Sequence, residues 1–543
     1  MFRKAEPGTN IPQMEEGILE FWKENNIFEK TLEKTKDGQR FVFYEGPPTA
    51  NATPHPGHVL TRVMKDLIPR YRTMCGYHVP RKGGWDTHGL PVELEIEKEL
   101  GISGKPQIEE YGVEKFIEKC KESVWRYKRE WERMTERVGF WVDLENAYVT
   151  YEDYYIESVW WALKQIWEKG LLYKGHKVVP YCPRCGTALS SHEVAQGYQE
   201  VEDPSVYVLF SLKDEDDTAF LVWTTTPWTL PSNVALAVNE SADYVKIRIA
   251  KTGSNLILAK ELLGSAIPED EEYEIIDEFK GKSLVGKEYQ PLFRYTEPSK
   301  KAWYVVAEDF VTLSDGTGIV HMAPAFGEDD MNAALNHDLP VVQLVDEEGR
   351  FTEEVSDWKG MHVKEADPLI IEHLMNSGRL YRSEQYSHTY PFCWRCDTPL
   401  LYYARTSWFI KTTAVKDALL RNNNAVAWHP EYIRDGRMGN FLENVIDWAV
   451  SRERYWGTPL PIWICDDCEY THCVGSIKEL KEMAVELPER LELHRPYIDK
   501  ARLLCPKCGG SMTRTKEVID AWFDSGSMPF AQWHYPMENV DTF

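Results

Sequence analysis

FVFYEGPPTANATPHPGHVLTRVMKDLIPRYRTMC, residues 41–75, is the stretch that decides the fold. Phe41 and Phe43 alternate with Val42 and Tyr44, and Glu45-Gly46-Pro47-Pro48 then breaks the pattern, which predicts a short buried strand stopped by a loop. Val59, Leu60, Val63, Leu67 and Ile68 fall at helical spacing, so a helix opens near His58, and Gly76 supplies its stop. A helix N-terminus at the carboxyl end of a parallel strand presents free amides and a partial positive charge, which suits phosphate. His55 and His58 stand at that point, with Gly57 between them allowing close backbone approach.

Working outward, 543 residues are too many for one core and suggest several domains. Hydrophobic residues at 43% and 20 tryptophans supply ample core material. No apolar run approaches membrane-spanning length, and MFRKAEPGTN lacks the apolar segment of a secretory signal, so a cytoplasmic protein is expected. With 62 basic and 87 acidic residues the formal charge is −25, which argues against a sequence-blind nucleic-acid binder. It leaves room for RNA gripped through local basic patches.

The 11 cysteines read as metal ligands rather than disulfides in such a compartment. Eight form Cys-x-x-Cys pairs: Cys182/Cys185, Cys393/Cys396, Cys465/Cys468 and Cys505/Cys508. The first two pairs flank a strand-rich insert that includes SVYVLFSL, AFLVWTTT, ALAVNE, YVKIRIA and WYVVAEDF. A four-thiolate zinc site would clamp the insert's two stems together. The other two pairs match a zinc ribbon, with His472 and Cys473 as competing ligands. Both sites read as closed and structural. Cys75 and Cys120 read as helix-packing residues.

Elsewhere, residues 10–28 read as one amphipathic helix with Ile18, Leu19, Phe21 and Trp22 as its apolar face. HVPRKGGWDTHGLPVELEIEKEL reads as a strand, a glycine turn and a helix, and residues 110–140 and 151–170 as long helices.

His-Pro-Gly-His alone is ordinary turn chemistry, but its company changes the reading. It resembles the HIGH signature of class I aminoacyl-tRNA synthetases, and other segments resemble the isoleucyl members in order: Trp85-Asp86-Thr87-His88-Gly89-Leu90-Pro91, Trp223-Thr224-Thr225-Thr226-Pro227-Trp228-Thr229, GTGIVHMAPAFGEDD, Ser451-Arg452-Glu453-Arg454-Tyr455-Trp456-Gly457 and VIDAWFDSGSMPF. The bland alternatives are a helix cap for Asp86, good strand formers for the threonines and an interior histidine for His321.

The resemblance implies an α/β fold: a Rossmann-type parallel-sheet catalytic domain split by a zinc-tethered insertion and a β-rich editing domain. Its expected parts are residues 1–180, knuckle stems at 181–200 and 389–410, an editing domain at 201–388, and a return at 411–543 containing the ribbon, 465–510. His55 and His58 would stabilise charge on the ATP α-phosphate, with Thr49, Asn51 and Gly57 also binding ATP, which enters with magnesium. Pro47, Asp86 and Trp522 would hold isoleucine, supported by Asp524 and Ser525. In the insert, Asp330 would bind the ammonium of a misattached amino acid. His321 and Trp228 would shape that pocket, and Thr224, Thr225 and Thr226 would position the ester and attacking water. One methylene separates valine from isoleucine by only ~1–3 kcal/mol, so fidelity needs that second site; isoleucyl-tRNA synthetase is itself the standard illustration.

The expected activity is isoleucine activation, transfer to tRNA(Ile), and hydrolysis of valyl-tRNA(Ile), by a monomeric full enzyme. Two departures stand out: Ala52 where glycine is expected, and no lysine-rich loop resembling KMSKS. The chain therefore reads as an N-terminal portion whose activation depends on a C-terminal half in trans. An editing-only hydrolase and a non-catalytic tRNA-binding subunit are the rival readings.

Overall fold

The computed structural model describes residue 8, residues 10–49, 52–541 and 543. The chain divides into two compact units, Met1–Tyr173 with Val450–Phe543, and Lys174–Ala449. Among the described residues no helix is long and apolar enough to cross a membrane.

In the first unit the strand-loop-helix pattern is realised with one change. Residues 41–48 form no regular strand; the stretch is tied by parallel bridges at its ends, Arg40 to His78 and Thr49 to Asp86. The tyrosine hydroxyl of Tyr148 donates to the Glu45 carbonyl at 2.6 Å, satisfying by a side chain what a ladder would satisfy by backbone. The glycines expected as a turn lie inside a strand, Lys82–Trp85, paired in parallel with Asp143–Val149. They are there because the Tyr148 ring covers Gly84, where a Cβ would sit 1.9 Å from the ring.

The helix of the opening stretch runs Pro56–Met74, capped by His55, and Gly76 takes a left-handed φ of 89° beyond its end. Cys75 is exposed at this helix end rather than packed, whereas Cys120 is buried in a core with Ile96, Phe116 and Trp456. The helix expected over residues 10–28 is two, Ile11–Glu24 and Ile27–Lys34, because Asn26 adopts a left-handed conformation between them. Ile18 and Phe21 of its expected apolar face are exposed. Residues 110–140 likewise break into Val113–Ser123 and Lys128–Arg137, and Asp153–Glu168 follows as expected.

The basic residues of Ser451–Gly457 support this core. Arg452 pairs with Asp520 at 2.6 Å, and Arg454 lies between Glu93 and Glu97 at 2.5 and 2.8 Å, all buried. Burying ions on this scale is tolerable only because each has a partner.

The second unit holds the strand-rich insert. Its main sheet has six strands in the order Tyr273–Lys280, Asp243–Ile249, Asn255–Ala259, Thr218–Thr224, Tyr198–Ser211 and Leu380–Pro391. Alternation sends Val206, Val208 and Phe210 to one face, with Phe220 and Val222, and Tyr207 to the other, with Leu221, Val245 and Ile247. Both faces are covered, so the run reads as almost continuously apolar. A three-stranded sheet places Ala235–Val238 between Tyr304–Ala307 and Ile319–Met322.

Candidate active and editing sites

At the head of helix Pro56–Met74, His55 Nδ1 accepts from the Gly57 amide at 3.2 Å, and the His55 amide donates to His58 Nδ1 at 3.1 Å. With both Nδ1 atoms accepting, each neutral ring carries its proton on Nε2, the nitrogen left for a ligand. The rings stack with centroids 3.7 Å apart, and Trp131 backs His58 at 4.5 Å. A Cβ on Gly57 would come 3.0 Å from the His55 ring, so a larger residue would push that ring aside by a few tenths of an ångström. Burial, then the neighbouring His55 and Arg62, pushes the His58 pKa down.

These histidines line a cavity of about 470 Å³ with Glu45, Thr49, Arg62 and Lys65. Lys65 pairs with Glu45 at 3.0 Å, and Trp131 donates to the Ala52 carbonyl at 2.7 Å. Helix amides, two imidazoles and two cations around one cavity suit a polyanion. Pro48 rather than Pro47 lines it, and Asn51 lies outside the described residues.

Asp86 lies beyond Thr49. Its Oδ2 accepts from Ser525 at 2.9 Å and from Thr49 at 3.3 Å, while Oδ1 is sealed from solvent without a partner. Trp522 is on the same helix as Ser525, Ala521–Gly526, and is exposed. Burial drives the Asp86 pKa up to about 6, against the hydrogen bond from Ser525. An orphaned acceptor of this kind is poised for a cationic donor and is costly until one arrives.

That cost has a pH signature. Asp86 takes up its proton more readily folded than unfolded, so its penalty is absent below pH ~4, grows as pH rises, and is complete above pH ~6. Asp86→Asn is therefore expected to raise unfolding stability at pH 7, by up to ~3 kcal/mol for a shift of about two units, and to do little at pH 4. Parallel denaturant titrations at the two pH values measure this; equal stability of both proteins at pH 7 would contradict it.

In the second unit the threonine segment meets His321. Thr224, Thr225 and Thr226 are half-buried at the end of strand Thr218–Thr224. Thr226 Oγ1 lies 3.2 Å from Thr224 Oγ1 and 3.3 Å from Thr229 Oγ1, and Thr229 Oγ1 lies 2.9 Å from His321 Nε2. Asn233 Nδ2 donates to His321 Nδ1 at 2.9 Å, and Asn233 Oδ1 accepts from Tyr289 at 2.7 Å. This assigns the His321 proton to Nε2. Burial drives its pKa down to about 3, which keeps the ring neutral.

Asp330 sits in the first turn of helix Glu328–Asn336 and accepts from the Ala323 amide at 2.7 Å. Burial raises its pKa to about 6. Trp228 is buried against Phe326, and its amide is held by Asp367, 2.9 Å away on helix Val363–Asn376. Thr229, Asn233 and Asp367 are parts of this arrangement that sequence reading passed over. Only Thr229 had a signal, as the last residue of the threonine motif.

Comparison with known proteins then settles the family. The model for tRNA synthetases class I (I, L, M and V) matches residues 17–543. The chain belongs to the class I tRNA synthetases. The isoleucine–tRNA ligase of Clostridium acetobutylicum is 61% identical over 543 residues, 100% of this chain and 52% of that protein. The isoleucine–tRNA ligase of Bacillus thuringiensis is 55% identical over 527 residues, 97% of this chain and 50% of that protein. The chain thus spans about half the length of the curated relatives it matches. Among solved structures, LeuRS from the ternary LeuRS–tRNA–LeuAMS complex of Agrobacterium radiobacter K84 is similar at TM-score 0.40 and 16% identity, over 95% of this chain and 59% of that chain.

This class I chain also brings its eight paired cysteines into two clusters, Cys182, Cys185, Cys393 and Cys396, and Cys465, Cys468, Cys505 and Cys508. Within each, the sulfurs all lie within 4.8 Å of one another, with close approaches of 3.4 to 3.8 Å. That is too far for a disulfide and matches the separation of ~3.8 Å that four ~2.3 Å zinc–sulfur bonds require. His472 is engaged by Glu479 at 2.9 Å, and Cys473 is outside the ribbon cluster. The competing ligands are thereby set aside, and the donor sets fit zinc.

Proposed function

We propose that this chain carries the amino-acid activation and editing parts of an isoleucine–tRNA ligase. The observation that carries this reading is the 61% identity over all 543 residues to a protein named isoleucine–tRNA ligase. ATP with its magnesium would enter the His55/His58 cavity, where Thr49, Asn51 and Gly57 bind it and the two Nε2–H groups stabilise charge on the α-phosphate. The isoleucine ammonium would take the unpartnered Asp86 oxygen, with Pro47 and Trp522 beside its side chain. Its carboxylate then attacks the α-phosphate and pyrophosphate leaves, giving the adenylate, whose isoleucyl group passes to tRNA(Ile) with release of AMP.

In the insert, valyl-tRNA(Ile) would lie with its ammonium on Asp330 and its ester near Thr224 to Thr226. Neutral His321 and buried Trp228 set the pocket walls. No nucleophilic side chain is needed, since an ordered water beside a fixed ester suffices. In domain terms, residues 201–388 are the editing domain between zinc-held stems 181–200 and 389–410. Residues 1–180 and 411–543 form the Rossmann-type catalytic part, whose strands Lys82–Trp85 and Asp143–Val149 are parallel neighbours. We place both zinc ions in structural roles and the protein in the cytoplasm.

The histidine helix supports a place for the part of the relatives that this chain does not match. Leu60, Val63, Met64, Leu67, Ile68 and Met74 form one stripe at helical spacing, and all are exposed, Leu67 at 64% and Met74 at 82%. A stripe of this kind is a packing face, and the half of the curated relatives that this chain does not match is its proposed occupant. The test is isoleucine-dependent ATP–pyrophosphate exchange, with and without that half. Exchange is expected only on complementation, and Val63→Asp with Leu67→Glu should abolish complementation while leaving this chain's own stability within ~0.5 kcal/mol, as exposed substitutions do. Robust exchange by the chain alone would sink the dependence. Undiminished complementation by the double variant would sink the assignment of the stripe.

A further inference from the structure

A line of buried groups runs behind Asp86 and has no role in the chemistry above. His88, two residues on, places Nδ1 3.0 Å from Asp524 Oδ2, and its Nε2 lies 2.9 Å from His494 Nε2. The side chains of His88 and Asp524 are fully buried, and that of His494 is 2% exposed. His494 stacks on Trp456 with centroids 5.0 Å apart, and Trp456 ties itself to the same segment through the Thr87 carbonyl at 2.6 Å. Glu492 Oε1 lies 3.5 Å from His494 Nδ1 and is itself paired with Lys121.

Only one proton fits between two ring nitrogens 2.9 Å apart. Where His88 Nδ1–H donates to the Asp524 carboxylate, a ring with its one proton on Nδ1 accepts at Nε2, and His494 is the donor across the 2.9 Å contact. His494 Nδ1 makes no hydrogen bond, with Glu492 Oε1 3.5 Å away. Burial keeps His494 neutral, its pKa near 4. Asp524 and Ser525 are consecutive on helix Ala521–Gly526, and Ser525 is the donor that orients Asp86.

We propose that His494 and His88 are positioning residues of the amino-acid site. His494 fixes the His88 tautomer, His88 pins helix Ala521–Gly526 through Asp524, and Ser525 on that helix aims the free Asp86 oxygen at a primary ammonium. This rests on Asp86 as the ammonium holder. Sequence reading left both histidines aside, since they are 406 residues apart.

The test uses the chain with isotope-labelled histidine, reading the His88 tautomer by long-range proton–nitrogen correlation and titrating isoleucine and, separately, ATP by calorimetry. The wild type is expected to show a single Nδ1–H form of His88. His494→Leu, which removes the donor, should give mixed tautomers and weaken isoleucine ~10- to 100-fold with ATP unchanged. His494→Gln, whose amide can donate, should restore most of both. An unchanged tautomer in the leucine variant, equal losses for isoleucine and ATP, or no rescue by glutamine would overturn the proposal. Failure of the wild type to bind isoleucine would overturn the reading of Asp86 instead, and the tautomer result would still decide whether His494 directs His88.

Discussion

Asp330→Ala is expected, on the proposed function, to reduce hydrolysis of valyl-tRNA(Ile) by at least ~30-fold while both zinc sites stay filled. The carboxylate is fixed by the Ala323 amide and lies at a helix start, so its second oxygen has one orientation to offer an ammonium. Removing one partner of a buried charged pair costs ~2–5 kcal/mol, or roughly 30- to several-thousand-fold. The same carboxylate sets a pH limit. With its pKa raised to about 6 by burial, it takes up a proton as pH falls through 6 and can no longer neutralise the ammonium. Hydrolysis should therefore drop below pH ~6 in the wild type, beyond the ordinary slowing of ester hydrolysis, and show no such step in the alanine variant. Wild-type rates for Asp330→Ala at pH 7.5 would remove Asp330 from the site.

The second large effect concerns the thiolates. Cys393→Ser and Cys505→Ser should each lower zinc content from two ions to one, measured by elemental analysis, with different functional losses. Cys393 belongs to the second unit, so its loss should destabilise the insert and abolish editing. Cys505 belongs to the ribbon, whose strands Arg502–Leu504 and Ser511–Arg514 pack in one core with Trp463 and Leu493. Its loss should release the loop carrying Glu492 and His494 and weaken isoleucine binding. Structural zinc is held by ~10–16 kcal/mol in small domains, comparable to a whole domain's stability, so partial effects are not expected. Retention of two zinc ions by either variant would refute its cluster.

The sequence was most legible where chemistry repeats at fixed spacing. The cysteine pairs, the histidine helix with its glycine stop and five strand segments of the insert all stand where pattern placed them, because thiolate spacing and side-chain periodicity are local properties. The miss at residues 41–48 arose from a partner distant in sequence: Tyr148 supplies the bond to Glu45 and its ring also covers Gly84, while Asp143 and Leu144 crowd Gly83. Nothing in GG itself tells a turn from a strand roofed by a ring. The same holds for Asn233 and Asp367, ordinary polar residues made part of a site by burial. For Arg452 and Arg454, a basic motif does not itself tell RNA contact from core support, and the buried Glu93, Glu97 and Asp520 place them in the core.

The division of the first unit also fixes an order of events in time. Glu93 and Glu97 are buried against Arg454, and Lys82 reaches the Gln532 carbonyl, yet the whole second unit is synthesised between these partners. At ~5–20 residues per second a ribosome needs roughly a quarter of a minute to a minute to cross that interval. The insert, whose strands find their partners within its own span, can fold in that interval. The leading segment cannot complete its fold in that interval, because buried Glu93 and Glu97 meet Arg454 only after residue 454 has been synthesised. During that wait its tryptophans and apolar helix faces have only each other or a chaperone for cover, and aggregation during expression should begin there rather than in the insert.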